Sequence, residues 1–466
     1  MGGIIINPYR FASGLDPAAF VTEWTIAAGG DAAARTITLF GHAVTTLNNY
    51  DVDWGDGTAI ETGITTVDKT HEYASDASIK TYVVTITDQF GGLRMSRSPQ
   101  ANRDKLTKFV NWGTSQINGV YGMFKDCSNM LYEATDAPDL TNLISQYADI
   151  LSYAFYNCSS IVNLDLSGWD PSSFTTMYET FRGTDNCETL NLSGWTLPSL
   201  TSLYQTFYEV GKTSGCDINL SNVTMALAGL DAKKAFRYTN FSVSPNLTNF
   251  DISGVDEIAN FMDFSDGGAS IHVDLSDLDF TNAITTLTGF GNSSKVGSVT
   301  FGSGSDFSAV TDLGYIFSQV PNMTSVTFPS NCDFSAVTTF YRGFYNNPAV
   351  SISNMTTIDL GTIQDFGLCT SWGTFRGLGT CSINFLTTTN IQSTTALSDL
   401  LYTTTIETTE YDNLLIALSV ANSGVPHASG NLHGGSSTYN ADPAPGGVAR
   451  AALITAGWTI ADGGPA

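Results

Sequence analysis

One phrase recurs through most of this 466-residue chain, and it dictates the architecture. Residues 152–169 read SYAFYNCSSIVNLDLSGW. A turn carries Tyr153 and Phe155, Cys158 follows the Phe by three, and Leu164 and Leu166 share one face of a short strand. The layout returns roughly every 26–31 residues. Its anchor aromatic recurs at Phe124, Phe155, Phe181, Phe207, Phe236, Phe261, Phe290, Phe317, Phe344 and Phe375. Strand tetrapeptides follow the anchors: LDLS at 164–167, LNLS at 190–193, INLS at 218–221, and drifting versions as far as 383–386. A unit this short cannot bury both its Phe and its strand alone, so each coil must cover the next. Each Phe buried in this way contributes roughly 1.5–3 kcal/mol relative to exposure. Residues 101–405 are therefore expected to form a solenoid.

The flanks differ. Residues 1–19 hold an apolar start and the tract INPYRFA, and read as a docking leader through Ile4, Ile5, Ile6, Tyr9 and Phe11. Residues 20–100 alternate in short runs at 21–26, 36–39, 50–54 and 82–87, separated by Gly, Asp and Asn turns, which predicts a β-sandwich. Residues 406–466 carry helical spacing at 409–420, a second short helix at 448–456 and a strand at 458–461. They are expected to form a small α/β cap over the last coil. The fold class expected is mainly β.

Charge narrows the function. Nineteen Lys and Arg against 44 Asp and Glu give a net charge of −25, which repels nucleic acid and anionic membranes. No stretch reaches the roughly 20 apolar residues of a membrane span. The first residues lack the basic region of a secretory signal, so export by that route is not expected. The seven cysteines include no CxxC pair, and Cys127 and Cys158 share one repeat position, which points to small buried fillers. The five histidines show no zinc spacing, and neither a phosphate loop nor GxSxG occurs. The chain reads as a binding protein, not an enzyme, with no cofactor. Asp51, Asp53 and Asp56 could suit Ca²⁺, but no later Glu completes such a loop, and a turn with outward carboxylates explains them.

Two surfaces remain for a ligand. Strand alternation turns Asp165, Asp251 and Asp274 outward in a polar ladder. Asp251 and Asp274 would repel as stacked neighbours, inviting either a cation or polyol, or a simple solvated ladder. Tyrosines gather elsewhere: Tyr121, Tyr178, Tyr204 and Tyr341 stand three before an anchor Phe, Tyr156, Tyr208 and Tyr345 directly after one, and Tyr153 on the same turn. A Tyr ring has an apolar face and a polar tip, suited to stacking on sugars or to subunit contacts.

Several tracts carry resemblances. Asp53-Trp54-Gly55-Asp56-Gly57, His71-Glu72-Tyr73 and the run at 82–87 resemble the polycystic-kidney-disease (PKD) type of immunoglobulin-like module. Met123-Phe124-Lys125-Asp126-Cys127 and LDLSGWD at 164–170 resemble the BspA-type leucine-rich repeat. The leader and the closing segment resemble those of structural proteins of tailed bacteriophages. This combination implies a fibre, spike or decoration protein on the virion surface. Its leader would contact other virion proteins, and its repeats would contact a host-surface glycan or protein. Self-association into a homo-oligomer is compatible with it. The rival is a bacterial cell-surface adhesin with the same repeats.

Overall fold

A computed structural model describes residues 16–466 apart from 43–47, 142, 144–149, 226–229, 244–254, 258–270, 276–286, 288–289, 291–295, 303–304, 306, 331, 347–353, 362–363, 367–368, 370–373, 392–396 and 421–429. The protein is mainly β, with a solenoid of about ten turns and few helices. It divides into two compact units, Met1–Ser199 with Val210–Cys216, and Leu200–Glu209 with Asp217–Ala466.

Among the described residues of the first unit, eight strands lead from the amino end into the first coil: β1 (Phe20–Ile26), β2 (Thr36–Phe40), β3 (Asn49–Asp53), β4 (Glu61–Ile64), β5 (Asp68–Glu72), β6 (Lys80–Gln89), β7 (Leu106–Asn111) and β8 (Leu131–Tyr132). One sheet has the order β4-β3-β6-β1-β7-β8, and β2 pairs with β5 in a second. The alternation is that expected of half-buried strands: Tyr50 and Val52 on β3 and Val84 and Ile86 on β6 are buried while their neighbours are less so. Central β1 buries Thr22 as well, and that hydroxyl accepts from Trp24 Nε1 at 2.9 Å. Strand β7 pairs antiparallel with β1 and parallel with β8, so one sheet runs from the strands of residues 20–89 into the first coil.

Next come the coils. β9 (Asn163–Asp165) and β10 (Thr189–Asn191) pair parallel and in register, Leu164 opposite Leu190, and in each the middle residue alone is buried. Phe124, Phe155 and Phe181 are buried in one column, with neighbouring ring centroids 5.5 and 5.7 Å apart. The anchor turn is not a strand. Around Phe155 the residues two before and two after, Tyr153 and Asn157, have φ of 61° and 54°. Gln205 and Glu209 flank Phe207 in the same way, as do Lys234 and Tyr238 around Phe236 and Tyr315 and Gln319 around Phe317. This left-handed geometry costs a non-Gly residue roughly 1–2 kcal/mol. In return it points alternate N–H groups the same way. Tyr153, Phe155 and Asn157 donate to the next coil's carbonyls of Tyr178, Thr180 and Arg182 at 3.1, 2.9 and 2.7 Å. The intervening Ala154, Tyr156 and Cys158 donate back within the turn, to Leu151, Tyr153 and Phe155. Every backbone donor on the turn is thereby satisfied.

All seven cysteines are free and buried. Burial pushes the Cys127 and Cys158 thiols well above the ordinary range, so they are inert. The position is more than a filler. Cys158 Sγ donates to the carbonyl of Phe124 in the coil before it, at 3.0 Å. In the second unit Thr239, also three after its anchor, donates Oγ1 to Phe207 O at 2.5 Å, and Thr404 donates to Phe375 O. Cys gives way to Thr because each is small and carries a donor. Thr239→Val is expected to cost about 1–2 kcal/mol in urea denaturation by orphaning the Phe207 carbonyl. Thr239→Cys should cost less than half of that.

In the second unit a parallel sheet runs in chain order through Ile271–Leu275, Val296–Phe301, Ser325–Thr327, Thr357–Asp359 and Ser382–Ile383. Phe290, Phe317, Phe344 and Phe375 stack with successive centroids 5.2, 5.3 and 5.4 Å apart. The last coil is covered by helix Thr408–Ser419, whose capping box joins Glu407 and Glu410. Glu410 also accepts from Ser382 Oγ and Ile383 N, and Asn413 Nδ2 donates to Phe385 O at 2.8 Å. Helix Pro445–Thr455 packs on the first helix, and Asn431–His433 pairs with Thr459–Ala461. The two helices and the final strand thus lie within two or three residues of their expected bounds.

One buried ionisable group gives stability a pH dependence. His42 is 2% exposed, and burial, reinforced by the charge of Arg94, pushes its imidazole down to about 3. Between pH 6.5 and 3 the unfolded chain takes up a proton that the folded chain refuses, so stability is lost as pH falls through that window. The urea midpoint at pH 5 should lie below that at pH 7, by about 1–2 kcal/mol in free energy, and His42→Leu should remove that His-linked loss.

Candidate functional site

The polar ladder satisfies itself. Asn191 Nδ2 donates to Asp165 Oδ1 at 3.0 Å, Thr189 Oγ1 donates to Asn163 Oδ1 at 2.8 Å, and Asp165 also takes Ser167 N and Oγ. In the second unit His272 Nδ1 lies 2.6 Å from Ser298 Oγ, and Asn384 Nδ2 donates to Asp359 at 2.5 Å. These side chains are spent on one another. Asp251 lies outside the described residues, and so does the side chain of Asp274, whose backbone pairs with Thr300. Ile4, Ile5, Ile6, Tyr9 and Phe11 also lie outside the described residues.

The acidic turn near the amino end is a corner lock. Asp51 accepts from Gly63 N, Asp53 from Gly55 N, and Asp56 from Thr58 N and Oγ1, at 2.6–3.0 Å. His71 Nε2 sits 2.9 Å from Asp56 Oδ2 while its ring stacks on Trp54 at 4.7 Å. The Tyr73 hydroxyl donates to Trp54 O at 3.1 Å. Asp51 bridges β3 to β4 while Asp53 and Asp56 each close a tight turn, and no cluster of three or more His, Cys, Asp or Glu suited to a metal occurs among the described residues.

The tyrosine edge has another character. In the first unit Tyr121, Tyr153, Tyr156 and Tyr178 are half-buried and touch across coils: Tyr153 lies 5.8 Å from Tyr121, 5.5 Å from Tyr178 and 5.7 Å from Tyr156. Cations sit among them. Lys125 Nζ lies 4.2 and 4.6 Å from the Tyr153 and Tyr156 ring centres, Arg94 lies over Tyr121 at 5.0 Å, and Arg182 lies over Tyr156 at 5.7 Å. Arg182 also pairs with buried Glu179 at 2.9 Å. In the second unit Lys234 lies over Tyr204 at 5.6 Å, Tyr208 meets Tyr238 at 5.3 Å, and Arg237 covers Tyr238.

Farther along the second unit the contacts form an unbroken chain. Tyr315 meets Tyr341 at 5.7 Å, and Arg342 lies over Tyr341 at 5.0 Å and Tyr345 at 4.8 Å. Arg376 then bridges Tyr345 at 5.8 Å and Tyr402 at 4.7 Å, and Tyr402 meets His433 at 4.8 Å. Here the rings are open to solvent: Tyr315 is 49% exposed, Tyr402 38% and Tyr341 36%.

Sequence reasoning found the tyrosines and missed their cations. The signal was present: Lys125, Arg182, Arg237 and Arg376 each directly follow an anchor Phe. A cation over a Tyr face is worth about 0.5–1 kcal/mol where exposed, and it presents positive charge on an otherwise acidic protein. The edge can therefore stack on a planar or pyranose face while offering donors to an anion.

The repeats match a family described as Mycoplasma protein of unknown function, DUF285, over residues 94–214 and 126–237. The match covers the most regular coils and is compatible with a repeat surface protein. No curated protein and no solved structure matches the chain.

Proposed function

We propose that the chain is a virion structural protein of a tailed bacteriophage, a fibre, spike or decoration protein whose solenoid is displayed for attachment to the host surface. The observation that carries this reading is the tyrosine-and-cation edge, which repeats one kind of contact on the coils between Tyr121 and Tyr238 and again between Tyr315 and Tyr402. Repeated weak contacts on one scaffold add, so a repetitive surface ligand would be held far more tightly than any single coil could hold it. Residues 20–100 enter as a PKD-type spacer. The Trp54–His71–Tyr73 lock and the backbone N–H groups bound by Asp51 and Asp53 suit a rigid spacer better than a binding module. The leader, through Ile4–Ile6, Tyr9 and Phe11, would hold the chain to other virion proteins. The reading is of a binding protein and not an enzyme. Incubation with host envelope glycan should release no new reducing ends.

Mass spectrometry of purified particles tests the proposal. Peptides of this chain should appear at the abundance of a structural protein, and recombinant chain should compete with particles for adsorption. Absence from particles overturns it. A bacterial cell-surface adhesin is the second reading, favoured by the resemblance of residues 94–237 to a family described from Mycoplasma. Release of this chain by protease treatment of intact bacteria would support that reading instead.

A further inference from the structure

We infer that the edge running from Tyr315 to Tyr402 binds an acidic polysaccharide whose sugars carry carboxylates. The inference rests on the reading of the solenoid as an attachment domain and names the class of its ligand. Positive charge is scarce here: Arg342 and Arg376 are the only Lys or Arg between residues 296 and 405, and both lie on this edge. Each guanidinium is held against two tyrosine rings, Arg342 by Tyr341 and Tyr345, Arg376 by Tyr345 and Tyr402. Among the described residues the ion-pair partner of Arg376 is Asp399, at 3.4 Å across a largely solvent-exposed pair of little strength. A guanidinium held over aromatic rings keeps its charge, and its outer N–H groups can meet a carboxylate side by side.

The order of groups also matters. Exposed Tyr341, Arg342, Tyr345, Arg376 and exposed Tyr402 follow one another along the edge, so ring faces and cations alternate across three coils spaced about 4.8 Å apart. A polymer of uronic-acid type repeats a pyranose face and a carboxylate in every sugar and matches both features. A polymer of glycerol phosphates offers the anion without the ring, and a neutral glucan offers the ring without the anion. His433, edge-on to Tyr402, closes the row; its Nδ1 accepts from Gly435 N at 3.2 Å, which leaves Nε2 as the N–H side.

The test is isothermal titration calorimetry of the full chain with an oligouronate, with the same oligosaccharide after its carboxylates are reduced to alcohols, and with a polyglycerol phosphate. The oligouronate should bind with an affinity that falls as salt is raised, and the reduced ligand should bind about tenfold more weakly. Arg342→Gln with Arg376→Gln should weaken oligouronate binding about tenfold and erase the preference over the reduced ligand. Tyr341→Ser with Tyr402→Ser should weaken both ligands alike. No oligouronate binding, equal affinity for the two oligosaccharides, or stronger binding of the polyglycerol phosphate overturns the inference. The comparison between ligands uses the parent chain, so it decides even where a variant folds poorly. Oligouronate binding by a chain absent from particles overturns the virion reading alone. A chain present in particles that ignores oligouronates overturns this inference alone.

Discussion

Phe155→Ala is expected to lower stability by about 3–5 kcal/mol and to unravel more than its own coil. The ring is wholly buried between Phe124 and Phe181, at 5.5 and 5.7 Å, and Tyr132 and Trp169 stand beside it. Removing it opens a cavity that the backbone cannot close. The flanking coils are fixed to this one by the Tyr153, Phe155 and Asn157 donors on one side and the Gly122, Phe124 and Asp126 donors on the other. A solenoid's stability is a sum over neighbours, so both interfaces weaken together. Urea denaturation followed by tryptophan fluorescence measures the loss. Tyr156→Ala on the same turn should cost about 1 kcal/mol, because its half-buried ring forfeits only an edge contact with Tyr153, the Lys125 and Arg182 contacts and partial burial. Equal losses in the two variants would show that the Phe column is not what holds the coils.

Asp462→Ala should cost about 3–5 kcal/mol and act at the opposite end of the chain. The Asp462 side chain is 3% exposed. It accepts from Arg450 Nε at 2.8 Å and Nη2 at 3.2 Å, and from the buried Tyr411 hydroxyl at 3.0 Å. Without it the Arg450 guanidinium is left partly buried with no counter-charge, and the Tyr411 hydroxyl loses its acceptor. The pair joins the last strand to both cap helices, so its loss should expose the final coil. Hydrogen exchange should then rise first in Ser382–Ile383 and Thr408–Ser419, before the Phe155 region changes. Asp462→Asn keeps one acceptor and should recover about half of the loss.

Much of the scaffold was legible because its signals are local. Alternation at Leu164, Leu190 and Val326 placed the buried strand residues, and the spacing of Phe155, Phe181, Phe317 and Phe344 placed the column. Both depend on which face of a short element is apolar, and a few adjacent residues decide that. The tyrosine edge was legible as a cluster of one residue type. Its cations were overlooked because a Lys or Arg beside an anchor Phe looks like any exposed charge until a second coil brings a ring over it. The left-handed residues at Tyr153, Gln205 and Tyr315 carried no signal, since Tyr and Gln are not residues that favour positive φ. The ladder of coil-to-coil hydrogen bonds outweighs their preference.

The sequence by itself determined the repeating unit, its buried face and the presence of a terminal cap, because a short unit with one apolar side has no stable alternative to stacking. Only the tertiary structure decided which outward residues became neighbours. Arg376 meets Tyr345 and Tyr402, about thirty residues away on either side, and Tyr411 meets Asp462 across 51 residues. Unequal coil lengths hide such meetings from any fixed spacing. Stacking sets them, because hydrogen bonds between anchor turns hold each coil in register with the next whatever the length of chain between them.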